Sequence, residues 1–246
     1  MTHLPDVTAL DLDLANGWLT IWFNQPDSRN ALSAELVSDM VATFEAVKDA
    51  RSVRGITLRG RGGVFCAGGD LKSFKKGQQG GQSYDDVVQS SIGGAYMFDL
   101  VNRMPQVVIV IIEGAAMAGG FGMACCADVV ICEANARFAM TETAIGLTPA
   151  LFDGRHCADL GFADFLGETV ADLEAHEMQI RKQVLRCAPG AVADIKALIL
   201  ALPRLSREDA IQAAAENFAG RMMSDEGKEG VASFVEKRKP GWVAEP

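Results

Sequence analysis

Short apolar runs alternate with segments of helical periodicity along the first two thirds of the chain. Three runs have the length of buried strands: Trp18–Phe23, Val53–Leu58 and Val107–Ile112. From Ser33 onward, apolar residues recur at helical spacing: Leu36, Met40, Phe44 and Val47. A second helix is predicted near Tyr84–Arg103. This alternation predicts an α/β architecture in which most strands are parallel.

The pattern changes at about Leu173, beyond which only helices are predicted. Proline and glycine residues separate these helices: Pro189, Pro203 and Gly220. Ser206 and Ser224 are suitable N-caps. We therefore divide the chain into an α/β core, residues 1–172, and a helical region, residues 173–246. The helical region either covers the core or forms an oligomer interface.

Composition is that of a globular protein. The chain has 246 residues, of which 49% are hydrophobic and 22% charged, so it can bury one large core. Its longest apolar run, Val107–Ile112, stops at Glu113, well short of the roughly 18 to 20 residues that cross a bilayer. Residues 1–6 have neither a basic region nor an apolar signal core, so we expect a cytoplasmic protein that does not bind membranes.

Charge and cysteine content narrow the function classes further. The formal net charge is −9 and the basic residues are dispersed, which argues against nucleic-acid binding through a basic face. An anionic ligand would have to be held by local groups. The six cysteines lack the spacing of metal ligands. We expect free, buried thiols and no metal site.

Two glycine-rich segments follow predicted strands and lead toward likely helices. The first is residues 65–71 (Phe-Cys-Ala-Gly-Gly-Asp-Leu), and the second is residues 113–124 (Glu-Gly-Ala-Ala-Met-Ala-Gly-Gly-Phe-Gly-Met-Ala). Glycine lets the backbone approach a ligand closely, and the first amides of a helix lack partners. Each segment would thus form a corner between a strand and a helix. Two such corners could direct two N–H groups at one oxygen, as in an oxyanion hole. The alternative is that the glycines only permit tight packing. Neither segment has P-loop spacing.

Taken together and in order, these segments resemble the enoyl-CoA hydratase/isomerase (crotonase) superfamily. The resemblance covers almost the whole chain. The matching residues are Asn24–Pro26, Arg29–Leu32, Phe65–Asp70, Gly114, Ala118–Gly120, Ala127–Asp128, Phe138, Glu142, Gly146–Pro149 and Glu229–Arg238. It implies a spiral core of repeated β-β-α turns, with a C-terminal helical region that packs homotrimers or dimers of trimers.

The resemblance also implies an acyl-coenzyme A site. The backbone amides of Gly69 and Gly119 would hold the thioester oxygen. The other implied contacts are Arg29, Ala31, Ala67, Gly68, Asp70, Leu71, Gly120, Phe234 and Lys237. Arg29 and Lys237 are candidates for the nucleotide phosphates, Lys237 from a neighbouring subunit, although either could simply be a solvated side chain. Coenzyme A would enter as part of the substrate, with no permanently bound cofactor.

Of the family's two catalytic glutamates, only one has a counterpart in this sequence. Gly122 stands at the position of the first, so that carboxylate is absent. Glu142 stands at the position of the second, in an apolar setting that includes Phe138 and Leu147. Such a setting favours the protonated form and raises the pKa of a carboxyl group. We therefore predict that Glu142 is the catalytic base, the alternative being a surface glutamate.

Between Ala150 and Leu151, the chain lacks about 20 residues that the family pattern has at this point. A segment of that length would form one helix of about 30 Å. Either this is a true deletion beside the acyl pocket, or a segment lies there that the sequence as read does not include.

With one glutamate, two reactions are open. A hydratase would add water to an α,β-unsaturated acyl-CoA. Its substrate would be a branched or glutaconyl-type thioester of fatty-acid or branched-acid catabolism. An isomerase would use Glu142 to carry a proton from C2 to C4 and move the double bond from Δ3 to Δ2. We favour the hydratase. A third interpretation is a non-catalytic acyl-CoA-binding relative.

Overall fold

A computed structural model describes most of the chain, and its strands form two sheets. The described residues are 2–70, 73, 79–139, 151–159 and 161–243, with the side chains of 151–156 excepted. The strands in chain order are β1 (Leu10–Ala15), β2 (Trp18–Phe23), β3 (Gly55–Gly60), β4 (Val107–Ile112), β5 (Ala115–Met117), β6 (Val129–Glu133), β7 (Arg137–Ala139), β8 (Leu151–Asp153) and β9 (Phe165–Gly167).

The larger sheet has the order β1-β2-β3-β4-β6-β9, and the smaller has the order β5-β7-β8. In the larger sheet only β1 and β2 are antiparallel, so the predicted parallel arrangement is confirmed. β1 is absent from the sequence-based prediction, although Leu10, Leu12 and Leu14 alternate there with aspartates. That period of two is the mark of a half-buried strand.

Helices cover the sheets and extend beyond them. In chain order they are α1 (Ala34–Val47), α2 (Tyr84–Arg103), α3 (Gly119–Ala124), α4 (Gly154–Asp159), α5 (Val170–Arg186), α6 (Pro189–Ala201), α7 (Arg207–Met223) and α8 (Asp225–Val235). The predicted start of α1 is confirmed, because the Ser33 side chain accepts a hydrogen bond from Leu36 N. The apolar stripe of α1 is fully buried in the main core: Leu36, Met40, Phe44 and Val47.

The helical region agrees with the sequence-based prediction except at Gly220. Ser206 and Ser224 are N-caps, accepting from Asp209 N and Gly227 N. Gly220 does not end a helix, since α7 continues through it to Met223. A glycine inside a helix costs only about 1 kcal/mol, and the Ser224 cap supplies the stop instead. Among the described helices, none has the length and apolar character to span a membrane.

Large apolar side chains remain exposed on the later helices of a single chain. They are Ile195, Ile199, Ile211, Phe218, Val231 and Phe234. Large exposed apolar side chains in this number are a common feature of interaction faces.

A buried polar network docks α5 onto the outer face of the larger sheet. The Glu177 carboxylate is 5% exposed and accepts hydrogen bonds from Thr57 and Arg181. Thr57 in turn accepts from the Trp18 indole at 2.9 Å. The Arg181 guanidinium lies 4.9 Å from the centroid of the Trp18 ring. Because every member has a partner, the network fixes the position of α5 rather than weakening the interface.

Replacing Glu177 by glutamine should lower the free energy of unfolding by about 2 kcal/mol, because it leaves the Arg181 charge without its buried carboxylate. Denaturant titration at a fixed protein concentration measures this change. Glu174→Gln is the matched control on the same helix. Its side chain pairs with Arg59 but is 56% exposed, so its loss should cost less than about 1 kcal/mol. Equal effects of the two substitutions would contradict the proposed role of the network.

Candidate active site

Backbone hydrogen bonds join the two glycine-rich segments edge to edge. Cys66 N donates to Ala115 O at 3.1 Å, and Met117 N donates to Cys66 O at 2.9 Å. Cys66 and Ala116 form a parallel bridge between the two segments. The first corner, residues 65–70, is therefore held against β5 and the turn that follows it.

Two glycines make this close approach feasible. A Cβ on Gly68 would lie 2.6 Å from the Ala118 Cβ, and one on Gly120 would lie 2.7 Å from the Cys66 Cβ. Gly68 also has φ +88°, which disfavours any side chain. The glycines thus do permit tight packing, and that packing is what brings the two corners together.

The Gly69 amide points away from its neighbouring segment. Gly69 forms a parallel bridge with Leu32, in which Leu32 N donates to Gly68 O at 2.7 Å. That pattern leaves the N–H of Gly69 on the opposite side. Within the part of the chain that the structure describes, this N–H has no acceptor.

The Gly119 amide is likewise unpaired among the described residues. Gly119 is the first residue of α3, where helix amides lack internal partners. The first backbone bond at this end runs from Gly122 N to Ala118 O, at 3.0 Å. A Cβ on Gly119 would lie 2.6 Å from Cδ1 of Leu32, the same residue that pairs with Gly69. Leu32 therefore lies against both corners.

Ala118 carries a strained backbone immediately before the Gly119 amide. Its φ is 49° and its ψ is −119°, a region that residues with a side chain rarely adopt. Such conformations cost about 1–3 kcal/mol and persist only where the surroundings enforce them. Here Ala118 N donates to Ala139 O at 2.6 Å, which ties the turn to the end of β7. No role for Ala118 is predicted from the sequence, since alanine carries no signal for this conformation.

Asn30 joins the turn after β2 to the loop that leads into the first corner. Its buried side chain accepts from Gln25 N at 3.0 Å and donates to Arg61 O at 2.9 Å and Val64 O at 2.7 Å. Asn30 also has φ 55°, a conformation that asparagine tolerates better than most residues. Asn30 is one of the residues that carry the family resemblance, but no role is predicted for it from the sequence. Its tolerance of positive φ within a turn is the signal that could have revealed one.

The other predicted coenzyme A contacts near the first corner are Arg29, Ala31, Ala67 and Asp70. Arg29 O accepts from Ala67 N at 3.0 Å, while the Arg29 side chain is exposed. Ala31 is buried and Ala67 is half-buried. The Asp70 carboxylate accepts from Ser73.

The other predicted site residues are either exposed on the surface of the single chain or lie outside the described residues. Phe234 is 86% exposed, and Lys237 is also exposed. No hydrogen bond or ion pair of the described residues connects Lys237 to the glycine corners of its own chain. Leu71 and Glu142 lie outside the described residues, as does Ala150 at the predicted deletion.

The cysteine prediction is right for the free state of the thiols and partly wrong for their burial. No disulfide joins the described cysteines, but Cys125 and Cys187 are exposed because they lie just beyond the ends of α3 and α5. Cys66 is buried within the first corner, where Gly68 N donates to its Sγ at 3.4 Å. Burial raises the pKa of Cys66 to about 12, so this thiol stays protonated and is not a nucleophile.

Comparison with known proteins establishes the class. Residues 13–164 match the sequence model of the enoyl-CoA hydratase/isomerase family. The chain belongs to this family, whose members act on acyl-CoA thioesters. The resemblance drawn from the sequence and the predicted crotonase fold are both confirmed.

Solved structures and curated relatives agree along nearly the whole chain. The structure of Pseudomonas aeruginosa AtuE is 35% identical, covers 96% of this chain and 100% of its own, and superposes with a TM-score of 0.92. An enoyl-CoA hydratase/isomerase from Marinobacter aquaeolei is 32% identical, covers 96% and 99%, and has a TM-score of 0.91.

Carnitinyl-CoA dehydratase of Proteus mirabilis is 29% identical over 95% of this chain and 98% of its own. That alignment spans 263 positions, more than the 246 residues here, so this relative has residues without a counterpart in the present chain.

Replacing Gly120 by alanine should separate the two corners, because its Cβ would also lie 2.8 Å from the Cys66 carbonyl oxygen. Overpacking of this kind costs about 1–3 kcal/mol of unfolding free energy. Thermal or denaturant unfolding provides the measurement. Gly220→Ala is the matched helical control, since no described atom lies within 4 Å of its Cβ position. If Gly120→Ala were as stable as this control, the contact between the corners would not need glycine.

Proposed function

We propose that the protein is an enoyl-CoA hydratase that adds water to an α,β-unsaturated acyl-CoA. The observation that carries the proposal is the pair of amides at Gly69 and Gly119, which have no acceptor among the described residues and lie on adjoining corners that both contact Leu32. Backbone N–H groups fixed in this way are suited to hold a thioester oxygen as it gains negative charge. Losing one such donor typically costs about 100- to 1,000-fold in rate.

The chemistry requires one base in addition to the amides. Glu142 takes a proton from water as the water oxygen bonds to the β-carbon of the substrate. The electrons of the double bond move toward the thioester carbonyl, and the resulting enolate oxygen is stabilised by the amides of Gly69 and Gly119. Glu142 then returns the proton to the α-carbon, which completes the addition of one water molecule.

Covalent reach supports Glu142 in this role. The described strand β7 ends at Ala139, whose carbonyl accepts the hydrogen bond of Ala118 beside the second corner. Glu142 follows Ala139 by three residues in the sequence, a stretch of chain that spans at most about 11 Å.

The coenzyme A moiety would be held by the groups around the first corner and by a second subunit. Arg29 combines a backbone bonded into the corner with an exposed guanidinium, an arrangement suited to a phosphate. Phe234 and Lys237 are exposed on the last helix and beyond it, so they would act from a neighbouring chain. Coenzyme A is then part of the substrate, not a resident cofactor.

A Δ3,Δ2-enoyl-CoA isomerase is the second candidate, favoured by the glycine at position 122. An isomerase needs only one proton carrier, and Gly122 offers no second carboxylate. Mass spectrometry distinguishes the two activities. Gain of one water by crotonyl-CoA identifies a hydratase, and conversion of a Δ3-enoyl-CoA without gain of mass identifies an isomerase. Binding of these thioesters without turnover of any would support a non-catalytic relative.

Replacing Glu142 by glutamine should lower turnover by about 100- to 10,000-fold, because the amide keeps the shape but cannot act as a base. The affinity for the thioester should change little, since the oxygen is held by backbone groups. Steady-state kinetics and calorimetric titration with an unreactive acyl-CoA measure the two quantities. Glu174→Gln, an exposed carboxylate on α5, is the control. Near-wild-type turnover of Glu142→Gln would rule out Glu142 as the base.

The protein should form closed homotrimers, alone or as dimers of trimers, because symmetric assembly would cover the exposed apolar side chains of α7 and α8. Light scattering at micromolar concentration should therefore give three or six times the 26.2 kDa mass of one chain. A monomer under these conditions would contradict both the assembly and the contribution of Phe234 and Lys237 from a neighbouring subunit.

A further inference from the structure

The turn that ends α8 has a lysine at a position where glycine is usual. Arg238 N donates to Ser233 O at 3.0 Å. Lys237 N donates to Phe234 O at 3.3 Å. These two bonds define a Schellman motif, in which the residue after the helix is left-handed. That residue is Lys237, with φ 55°. A side chain there has a conformational cost that glycine would avoid, so the backbone alone favours glycine.

Both cations assigned to the nucleotide phosphates have a backbone of this kind. The described non-glycine residues with positive φ are Asn16, Arg29, Asn30, Ala118 and Lys237. Asparagine tolerates the conformation, which accounts for two of them. The others are Ala118, which precedes the Gly119 amide, and the cations Arg29 and Lys237. Strained backbone is typical of ligand sites, where the surrounding structure enforces it. The φ of Lys237 therefore points to a function for its side chain.

Two charged side chains form a clamp across this turn. The Arg238 guanidinium donates to both carboxylate oxygens of Glu229, at 2.6 and 2.8 Å. Its Nε donates to Glu236 at 2.6 Å. Glu229 also accepts from Gly241 N at 2.9 Å, which closes the loop of chain that contains Lys237. A single exposed ion pair contributes little to stability, but a two-point arginine–carboxylate contact within a network holds its geometry.

The chain beyond the clamp is fastened to the rest of the molecule. The Trp242 indole donates to Arg186 O, at the end of α5, at 3.1 Å. Trp242 O accepts from the guanidinium of Arg54, the residue before β3, at 2.9 Å. Lys237 is thus held between α8 and a segment attached to the α/β core. Its side chain is exposed, and its ammonium forms no ion pair with another described residue.

We propose that the clamp of Glu229 and Arg238 positions the Lys237 ammonium for the phosphates of a coenzyme A thioester bound to a neighbouring chain. The inference rests on the proposed function, which assigns Lys237 to those phosphates. Glu229 and Arg238 are positioning residues, because they hold the turn from which the Lys237 side chain extends. A lysine on a fixed turn loses less conformational freedom on binding than one on a loose tail, and this lowers the cost of association.

Charge alone predicts the opposite result for a variant of Glu229, which makes the clamp testable. Glutamine at this position removes a negative charge near Lys237. Without a positioning role, that change would leave the affinity for an anionic ligand equal or slightly higher. Loss of the clamp would instead release Lys237 from its position and lower the affinity.

The experiment measures the binding of butyryl-CoA and of butyryl-pantetheine, which has the same acyl and pantetheine groups but no phosphate. Both are saturated, so a hydratase leaves them unreacted, and calorimetric titration gives their dissociation constants. Glu229→Gln should weaken the binding of butyryl-CoA by about 10-fold, the loss of one charged hydrogen bond, and leave that of butyryl-pantetheine unchanged. Arg238→Lys should act in the same direction, because lysine lacks the two-point contact.

Lys237→Gly should also weaken the binding of butyryl-CoA by about 10-fold, with a Tm no lower than that of the wild type, since glycine suits the left-handed turn. The double variant of Glu229 and Lys237 should bind no more weakly than Lys237→Gly, because the clamp acts through that lysine. For crotonyl-CoA, KM should rise about 10-fold in each single glutamine or glycine variant while kcat changes little. Glu216→Gln is the control, an exposed carboxylate on α7 that accepts from Gln212.

The outcomes separate this inference from the function on which it rests. An unchanged affinity for butyryl-CoA in Glu229→Gln or in Lys237→Gly would overturn it. Additive losses in the double variant, or equal losses for the two butyryl thioesters, would overturn it as well. Wild-type protein that binds butyryl-CoA no more tightly than butyryl-pantetheine would contradict the inference even if it hydrates crotonyl-CoA. The predicted binding pattern in a protein that hydrates no enoyl thioester would remove the hydratase and support the clamp.

Discussion

The backbone pairing between the two glycine-rich corners is the constraint on which the site depends. Cys66 bonds through both its N–H and its carbonyl to the segment around Ala116, and this sets the distance between the corners. The pairing is feasible only because Gly68 and Gly120 lack side chains where the segments meet. Both amides that would hold a thioester oxygen inherit their positions from this contact, so the site is formed by the fold itself and not by mobile side chains.

Successive layers hold this contact in place. The buried side-chain amide of Asn30 joins the turn after β2 to the loop after β3, which leads into the first corner. Ala118 is held in a costly conformation by its bond to Ala139, at the end of β7 in the smaller sheet. Farther out, the network around Glu177 attaches the helical region to the larger sheet. Rigid support of this kind is what keeps backbone donors aligned without reorganisation during a reaction.

The sequence predicted features that depend on local patterns. The parallel strands, the helix capped by Ser33 and the two glycine corners follow from periodicity, capping residues and backbone requirements. Features that depend on distant partners were not predictable in this way. The strain at Ala118 arises from contacts with another strand, and the burial of Glu177 depends on Thr57, which lies far away in the sequence. A carboxylate on a helix is ordinarily a surface group, so burial of this kind is visible only in three dimensions.

The contact between Gly68 and Ala118 has a consequence for how the family can diverge. The methyl group of Ala118 occupies the space that a side chain at position 68 would need. A side chain at position 68 would therefore require position 118 to lose its methyl group, and the positive φ of Gly68 opposes even that exchange. In evolutionary terms the two positions are epistatic, because whether a side chain is tolerated at position 68 depends on which residue stands at position 118.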